Sequence, residues 1–335
     1  MEYKQLGRQG VRVSPICLGT MMFGGQTEEA LSIEIMHKAI DLGINFFDTA
    51  DMYNAGESEV LVGKALADRR DQVVLATKGR QKVGDGPNDY GSGRIHMMRA
   101  VEASLRRLNT DYIDVYYDHA PDYTTPIEET LRAMDDMVRS GKVRYIACSN
   151  FRAWRLCESL WTSERHNLER FACVQPLYNI VNRDPEVELF PLCREHGLGV
   201  VCYSPLARGV LTGKYLPGTE HPADSRAARG DVRMQQAELR EASFHVAQSL
   251  KEYCDSRNQS LSQFALAWCL ANPNLTSVII GPRTMEHFDD NLGCLDIEVT
   301  PEDEAFVDGL VPPGEHSGKG FQDVLYPITG RQSSE

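Results

Sequence analysis

The chain has no Cys-x-x-Cys pair, no apolar run of membrane-crossing length, no block of basic residues and no early Gly-x-Gly-x-x-Gly turn. Each absence closes a class. Nine cysteines are scattered, and Cys148, Cys173, Cys202 and Cys269 lie inside apolar runs, which reads as buried thiols in a reducing compartment. A bilayer span needs about 20 apolar residues. The opening Met1-Glu2-Tyr3-Lys4 lacks the apolar core of a secretory signal, so a cytoplasmic location and no membrane partner are expected. A net charge of −13 without a basic tract argues against nucleic acid as partner. A local basic pocket for a phosphorylated small molecule remains compatible with it. The missing glycine fingerprint counts against an open dinucleotide-binding sheet. No metal site is expected.

What is present is an ordinary globular composition, 42% hydrophobic and 25% charged over 335 residues, arranged as one recurring unit. A short hairpin comes first: Tyr3 to Leu6 and Val11 to Val13 flank Gly7-Arg8-Gln9-Gly10. Then apolar strand, loop, amphipathic helix and glycine repeat. Ile33, Met36 and Ile40 share a helical face before Gly43. Thr125 as N-cap, Pro126 and Glu128 read as a capping box for a helix carrying Ile127, Leu131, Met134 and Val138. Gly141 ends it, and Gly197 ends another after Leu192 to His196.

Strand ends fall at Gly19, Asp48, Lys78, His119, Ser149, Gln175, Tyr203 and Gly281. Most are roughly thirty residues apart, one strand-helix-strand step. Eight such ends predict a closed (β/α)₈ TIM barrel, an α/β fold with an N-terminal β-hairpin and extra helices near Leu239–Tyr253 and Leu261–Leu270. One domain over 1–335 is expected, with a Gly-, Pro- and Ser-rich tail at 312–335 placed over the barrel mouth or disordered.

Asp48, Tyr53, Lys78 and His119 follow three successive strands, so parallel neighbours would bring them to one face. A phenol with its pKa near ~10 is a weak acid at neutral pH unless its anion is stabilised. Lys78 supplies the stabilising charge, Asp48 holds Lys78, and His119 is placed to hydrogen-bond the same substrate oxygen. None of these groups can reduce anything, so a hydride donor is needed. Taken singly, Asp48 is a helix cap, Tyr53 a loop aromatic, Lys78 a solvated cation and His119 a strand-end histidine. Taken together they suit proton transfer to a carbonyl oxygen.

The segments Phe46-Phe47-Asp48-Thr49-Ala50-Asp51-Met52-Tyr53, Ala76-Thr77-Lys78, His119-Ala120-Pro121-Asp122 and Cys148-Ser149-Asn150-Phe151 resemble the aldo-keto reductase family. So do Val174 to Asn179 and Tyr203 to Lys214. The resemblance implies a barrel that binds NADP(H) extended, with Asp48, Tyr53, Lys78 and His119 as a catalytic tetrad. It implies Ser149, Asn150 and Gln175 on the carboxamide and Tyr203 stacked on the nicotinamide. Ser204, Leu206, Gly209 and Lys214 match the loop over the pyrophosphate. Gly281, Arg283, Thr284, His287, Asp290 and Asn291 match the adenosine pocket, Arg283 and Thr284 favouring a 2′-phosphate and hence NADP over NAD.

Three positions depart from the family pattern. His287 stands for the usual glutamine, Asp118 for an aliphatic residue, and the loop from Gly79 to Tyr90 is longer than in compact relatives. Strand alternation turns Asp118 away from His119, where it is expected to pair with a basic residue and restrain the strand end. The implied function is reduction of an aldehyde or ketone, sugar-like substrates included, or the reverse alcohol oxidation. A cofactor-binding regulatory subunit and a non-redox enzyme using Lys78 as base are the alternatives. Met22, Phe23, Tyr90, Tyr123, Phe321 and Tyr326 are candidate substrate-cleft residues.

Overall fold

A computed structural model describes residues 1–223, 225–318 and 323. The expected tail contacts, Phe321 and Tyr326 included, lie outside the described residues. The described residues group into two compact units. Of the described residues, the first comprises 1–176, 188–203 and 273–289, and the second comprises 177–187, 204–223, 225–272, 290–318 and 323.

In the first unit β1 (Lys4–Gln5) and β2 (Arg12–Val13) pair antiparallel as the expected hairpin. The next strands are β3 (Ile16–Gly19), β4 (Phe46–Asp48), β5 (Val74–Gly79), β6 (Ile113–Asp118), β7 (Val143–Ser149), β8 (Cys173–Gln175), β9 (Gly199–Cys202) and β10 (Ser277–Ile280). They close into a barrel in the order β10-β3-β4-β5-β6-β7-β8-β9, every pairing parallel. The (β/α)₈ expectation is met.

Helices α1 (Glu29–Asp41), α2 (Glu57–Ala65), α3 (Arg94–Leu108), α4 (Ile127–Arg139), α5 (Ala153–His166) and α6 (Leu189–His196) belong to this unit. Gly43, Gly141 and Gly197 carry φ of +87°, +76° and +64° just past α1, α4 and α6. That left-handed turn strains a residue with a Cβ, which is why glycine punctuates the repeat.

The interior explains the site. One buried cluster contains Cys17, Phe46, Val74, Ala76, Val115, Tyr117, Ala147, Cys173 and Val201, with Ile279 packed against it. These are inward-facing residues of all eight barrel strands. Side chains alternate along a strand, so the residue two further on faces inward as well. Two beyond Phe46 is Asp48, beyond Ala76 is Lys78, and beyond Tyr117 is His119. Ala147, Cys173 and Val201 lead likewise to Ser149, Gln175 and Tyr203.

The second unit carries the extra helices α7 (Val232–Ala237), α8 (Glu241–Ser256) and α9 (Leu261–Ala271). Helix α10 (Met285–Leu292) follows β10, and α11 (Pro301–Leu310) completes the described helices. Helix α7 starts within the polar stretch from Gly218 to Gln236. Its start is fixed by Asp231, whose carboxylate accepts from the Met234 amide at 2.8 Å.

Helix details correct the pattern reading in three places. In α1 the buried face is Ser32, Ile35, Met36, Ala39 and Ile40, with Ile33 only half-buried. In α4, Val138 is half-buried and Met137 fully so. The capping box at Thr125 does not form. The Thr125 hydroxyl donates to Asp122 at 2.8 Å, and Glu128 binds Arg132. The same Thr-Pro-x-acid pattern forms a complete box at Thr300 and Asp303 on α11.

Candidate active site

Lys78 is fully buried, and its Nζ donates to Asp48 Oδ1 at 2.5 Å, to the Thr49 carbonyl at 2.7 Å and to the Tyr53 hydroxyl at 3.3 Å. The ammonium therefore has three oxygens for its three protons. Burial opposes the charge, but Asp48, and Tyr53 after it, outweigh burial and hold Lys78 above its ordinary pKa. Asp48 spends its other oxygen, Oδ2, on Gln175 Nε2 at 2.9 Å. Tyr53 starts the short turn before α2, half-buried, its ring edge-on to His119 with centroids 6.0 Å apart.

His119 follows β6, with its amide bonded to the Gly79 carbonyl at 3.1 Å. Burial, and then the charges of Lys78 and Arg80, hold its imidazole well below the usual histidine pKa, so the ring is neutral. Its Nδ1 is buried and has no partner among the described residues. We assign the single ring proton to Nε2, because an unpaired buried N–H is less tolerable than an unpaired acceptor. Asp48, Tyr53, Lys78 and His119 thus converge as the strand spacing predicts.

Ser149, Asn150, Gln175 and Tyr203 also meet. Asn150 has φ of +63°; its Nδ2 donates to the His119 carbonyl and to Ser149 Oγ, both at 3.0 Å. Tyr203 donates to Asn150 Oδ1 at 2.7 Å, and Ser149 donates to the Gln175 carbonyl at 2.9 Å. Gln175 Oε1 receives no donor among the described residues. An acceptor, amide groups and a half-buried phenol ring together fit the carboxamide and ring of a nicotinamide.

At the end of β10, Gly281 is exposed and Arg283 half-buried. Arg283 donates to Gln26 Oε1 at 3.4 Å and has no ion pair among the described residues, which leaves its charge available to a phosphate. The Thr284 hydroxyl accepts from the exposed His287 amide at 3.2 Å and so also starts α10.

In the second unit, Ser204, Leu206 and Gly209 lie in a run of left-handed turns. Ser204 has φ of +54° and Gly209 of +99°. A Cβ at Gly209 would stand 3.2 Å from Lys214 Cε, and Lys214 Nζ lies 5.5 Å from the Tyr215 ring centroid. Asp290 accepts from Gln263 at 2.9 Å, and Asn291 is buried.

Of the substrate-cleft candidates, Met22 and Phe23 are buried, Phe23 completely, so they pack inside the β3–α1 loop instead of lining an open wall. Tyr90 is exposed. Tyr123 is exposed too, stacked on Trp154 with centroids 5.9 Å apart, beside a cleft of about 380 Å³ that Arg155, Trp161 and His166 help to line.

Asp118 is buried as alternation requires, but its hydrogen bond is from the Ser92 hydroxyl at 2.9 Å, not from a basic residue. Burial pushes its carboxyl up to about 7. Asp51 sits within the motif that ends at Tyr53, but nothing in the sequence marks it as buried. Its carboxyl oxygens have no side-chain hydrogen bond among the described residues, and burial and then Glu59 raise it to about 7 against the lowering effect of Arg107 and the Met52 amide. Arg80 opens the loop that runs on to Tyr90, and its place two positions past Lys78 is the signal for it in the sequence.

The architecture and this cluster define a barrel oxidoreductase, and comparison with known proteins agrees. The profile of the Aldo/keto reductase family matches residues 15–311. The chain belongs to that family, which generally uses nicotinamide cofactors. It is 40% identical over 333 residues to YrpG of Bacillus subtilis, an oxidoreductase described as uncharacterized, covering 96% of this chain and 99% of that one. A rice protein (Oryza sativa subsp. japonica) named a probable voltage-gated potassium channel subunit beta is 39% identical over 310 residues, 90% of this chain and 94% of its own. Versiconal hemiacetal acetate reductase of Aspergillus parasiticus is 34% identical over 347 residues, 94% and 100% respectively. No helix among the described residues is long and apolar enough to cross a membrane.

Proposed function

We propose that this protein is an NADP(H)-dependent carbonyl reductase, converting an aldehyde or ketone to an alcohol or running the reverse. One observation carries the reading: a buried ammonium, held by Asp48 at 2.5 Å, sits 3.3 Å from the hydroxyl of Tyr53.

Bound NADPH supplies the hydride. As charge develops on the substrate oxygen, Tyr53 gives it the phenolic proton, and Lys78 stabilises the phenolate that remains. Asp48 keeps Lys78 charged and aimed, itself steadied by Gln175. The neutral His119 donates from Nε2 to the same oxygen and orients the carbonyl. Gln175, Ser149, Asn150 and Tyr203 suit the nicotinamide, and the unpaired guanidinium of Arg283 with Thr284 suits a 2′-phosphate, which favours NADP over NAD.

The relative named as a potassium channel subunit supports a second reading, a cofactor-binding subunit that acts through a partner. The two separate cleanly. NADPH and NADH titrated by fluorescence measure cofactor choice, and consumption of NADPH with a reactive aldehyde measures turnover. Tyr53→Phe is expected to lower turnover by about 10²–10⁴ while NADPH still binds. Turnover equal to wild type in that variant would refute the proposed role of Tyr53.

A further inference from the structure

We infer that Arg80 selects carbonyl substrates carrying a nearby anionic group, a carboxylate or a phosphate. The inference rests on the carbonyl-reductase reading of the site and adds the substrate's charge to it.

Arg80 is the first residue past β5, two beyond Lys78, at the strand ends where the four proposed catalytic side chains meet. Its backbone carries φ of +104°, a strained value for a residue with a side chain. The strain is held from both directions. The Gly91 amide donates to the Arg80 carbonyl at 2.8 Å and closes the loop, and Nη2 donates to the Pro121 carbonyl at 3.1 Å. Pro121 is two residues past His119, so the guanidinium lies over the end of β6. Its charge reaches the His119 imidazole, whose pKa it lowers together with burial and Lys78.

This guanidinium has no ion pair among the described residues. Among the described residues Nη1 reaches the side-chain carbonyl of Gln81, at 3.4 Å, and the buried Nε finds no partner. Nearby cations are engaged otherwise: Lys78 with Asp48, Lys82 with Asp85, and Arg155 with Glu158. No acid nearby forms an ion pair with it among the described residues, although its charge, like that of Arg155, lowers the raised pKa of Asp118. Asp118 is held by the Ser92 hydroxyl behind the strand, and Asp122 accepts from Ser92, Thr124 and Thr125. A neutral donor would suffice to hold the Pro121 carbonyl. A strained, half-buried arginine without a carboxylate partner instead offers a planar donor fork to anionic oxygens. The chain's net charge of −13 repels anions at long range, so recognition of one requires such a local cation.

The test uses two matched pairs, 4-formylbenzoate with its methyl ester and glyceraldehyde 3-phosphate with glyceraldehyde. The quantity read is the ratio of kcat/KM, anionic over neutral, within each enzyme. In wild type this ratio should exceed that of Arg80→Met by about tenfold or more in at least one pair, with Arg80→Lys between them. The pair with the larger change identifies carboxylate or phosphate. Salt should lower the anionic-over-neutral ratio in wild type, a readout that needs no variant and in which any effect of salt on the cofactor cancels. Equal ratios in wild type and Arg80→Met, or a wild-type ratio indifferent to salt, would overturn the inference while turnover of the neutral carbonyls kept the reductase reading intact. Failure of wild type to reduce any of the four would overturn that reading, and this inference with it.

Discussion

Gln175 donates from Nε2 to Oδ2 of Asp48 at 2.9 Å, joining β8 to β4 across the barrel from opposite walls. The bond leaves Oδ1 of Asp48 to Lys78 alone among the described residues. A residue proposed to hold the cofactor is therefore also a strut for the proposed proton-transfer groups.

That dual bond makes Gln175→Glu informative. A second carboxyl would face Asp48, and the pair would have to share a proton or repel. Unfolding in urea should show a loss of about 1–3 kcal/mol at neutral pH. The loss should shrink as the pH is lowered and the new carboxyl takes up a proton. A loss independent of pH would argue that the two groups do not interact.

Lys78→Met removes the cation between Asp48 and Tyr53 and leaves the buried Asp48 carboxylate without its counter-charge. Breaking a buried pair from one side typically costs about 3–5 kcal/mol. The denaturation midpoint should fall accordingly, and turnover should fall with it. A stable, active Lys78→Met protein would contradict the whole arrangement.

Asp51 and Asp118 give stability an unusual slope with pH. Both carboxyls are raised to about 7 in the folded protein by burial, Asp51 further by Glu59. In the unfolded chain they ionise near ~3.9. Between these values the unfolded chain has released protons that the folded chain keeps, so stability should decline as pH rises from about 4 to about 7. Urea midpoints at pH 5 and pH 7.5 measure the difference. The double variant Asp51→Asn and Asp118→Asn should flatten it, and an unchanged slope would mean other groups are responsible.

All nine cysteines are free thiols, and Cys157 is the exposed one. A thiol reagent on the native protein should modify Cys157 quickly and the rest only after unfolding. Cys157→Ser should abolish the fast phase. A fast phase that persists would place one of the buried thiols at the surface.

Much of the site was legible because barrel geometry is periodic. A polar residue two positions past an inward apolar residue must also face inward, and sequence order alone puts Asp48, Lys78 and His119 on adjacent strands. Arg80 and Asp51 escaped this reading because they lie past the strand ends, where no period applies. What Arg80 touches depends on Gly91 and Pro121, which the folded chain brings to it. The partner of Asp118 escaped for a different reason. Alternation tells which side a residue faces but not what waits there, and a serine from another loop filled the place expected for a cation.

The two Thr-Pro-x-acid segments show where the boundary lies. The shared pattern at Thr125 and Thr300, with Glu128 in one and Asp303 in the other, suits a capping box in both places, and of the two Thr300 makes one. At Thr125 the carboxylate of Asp122 takes the hydroxyl, while Arg132 draws Glu128 away. The sequence by itself determined the repeat, the barrel and the inward register of the central residues, because these follow from periods of two and 3.6. Tertiary structure alone decided which polar group wins each contested hydrogen bond, because competing donors and acceptors are compared only once the chain has brought them together.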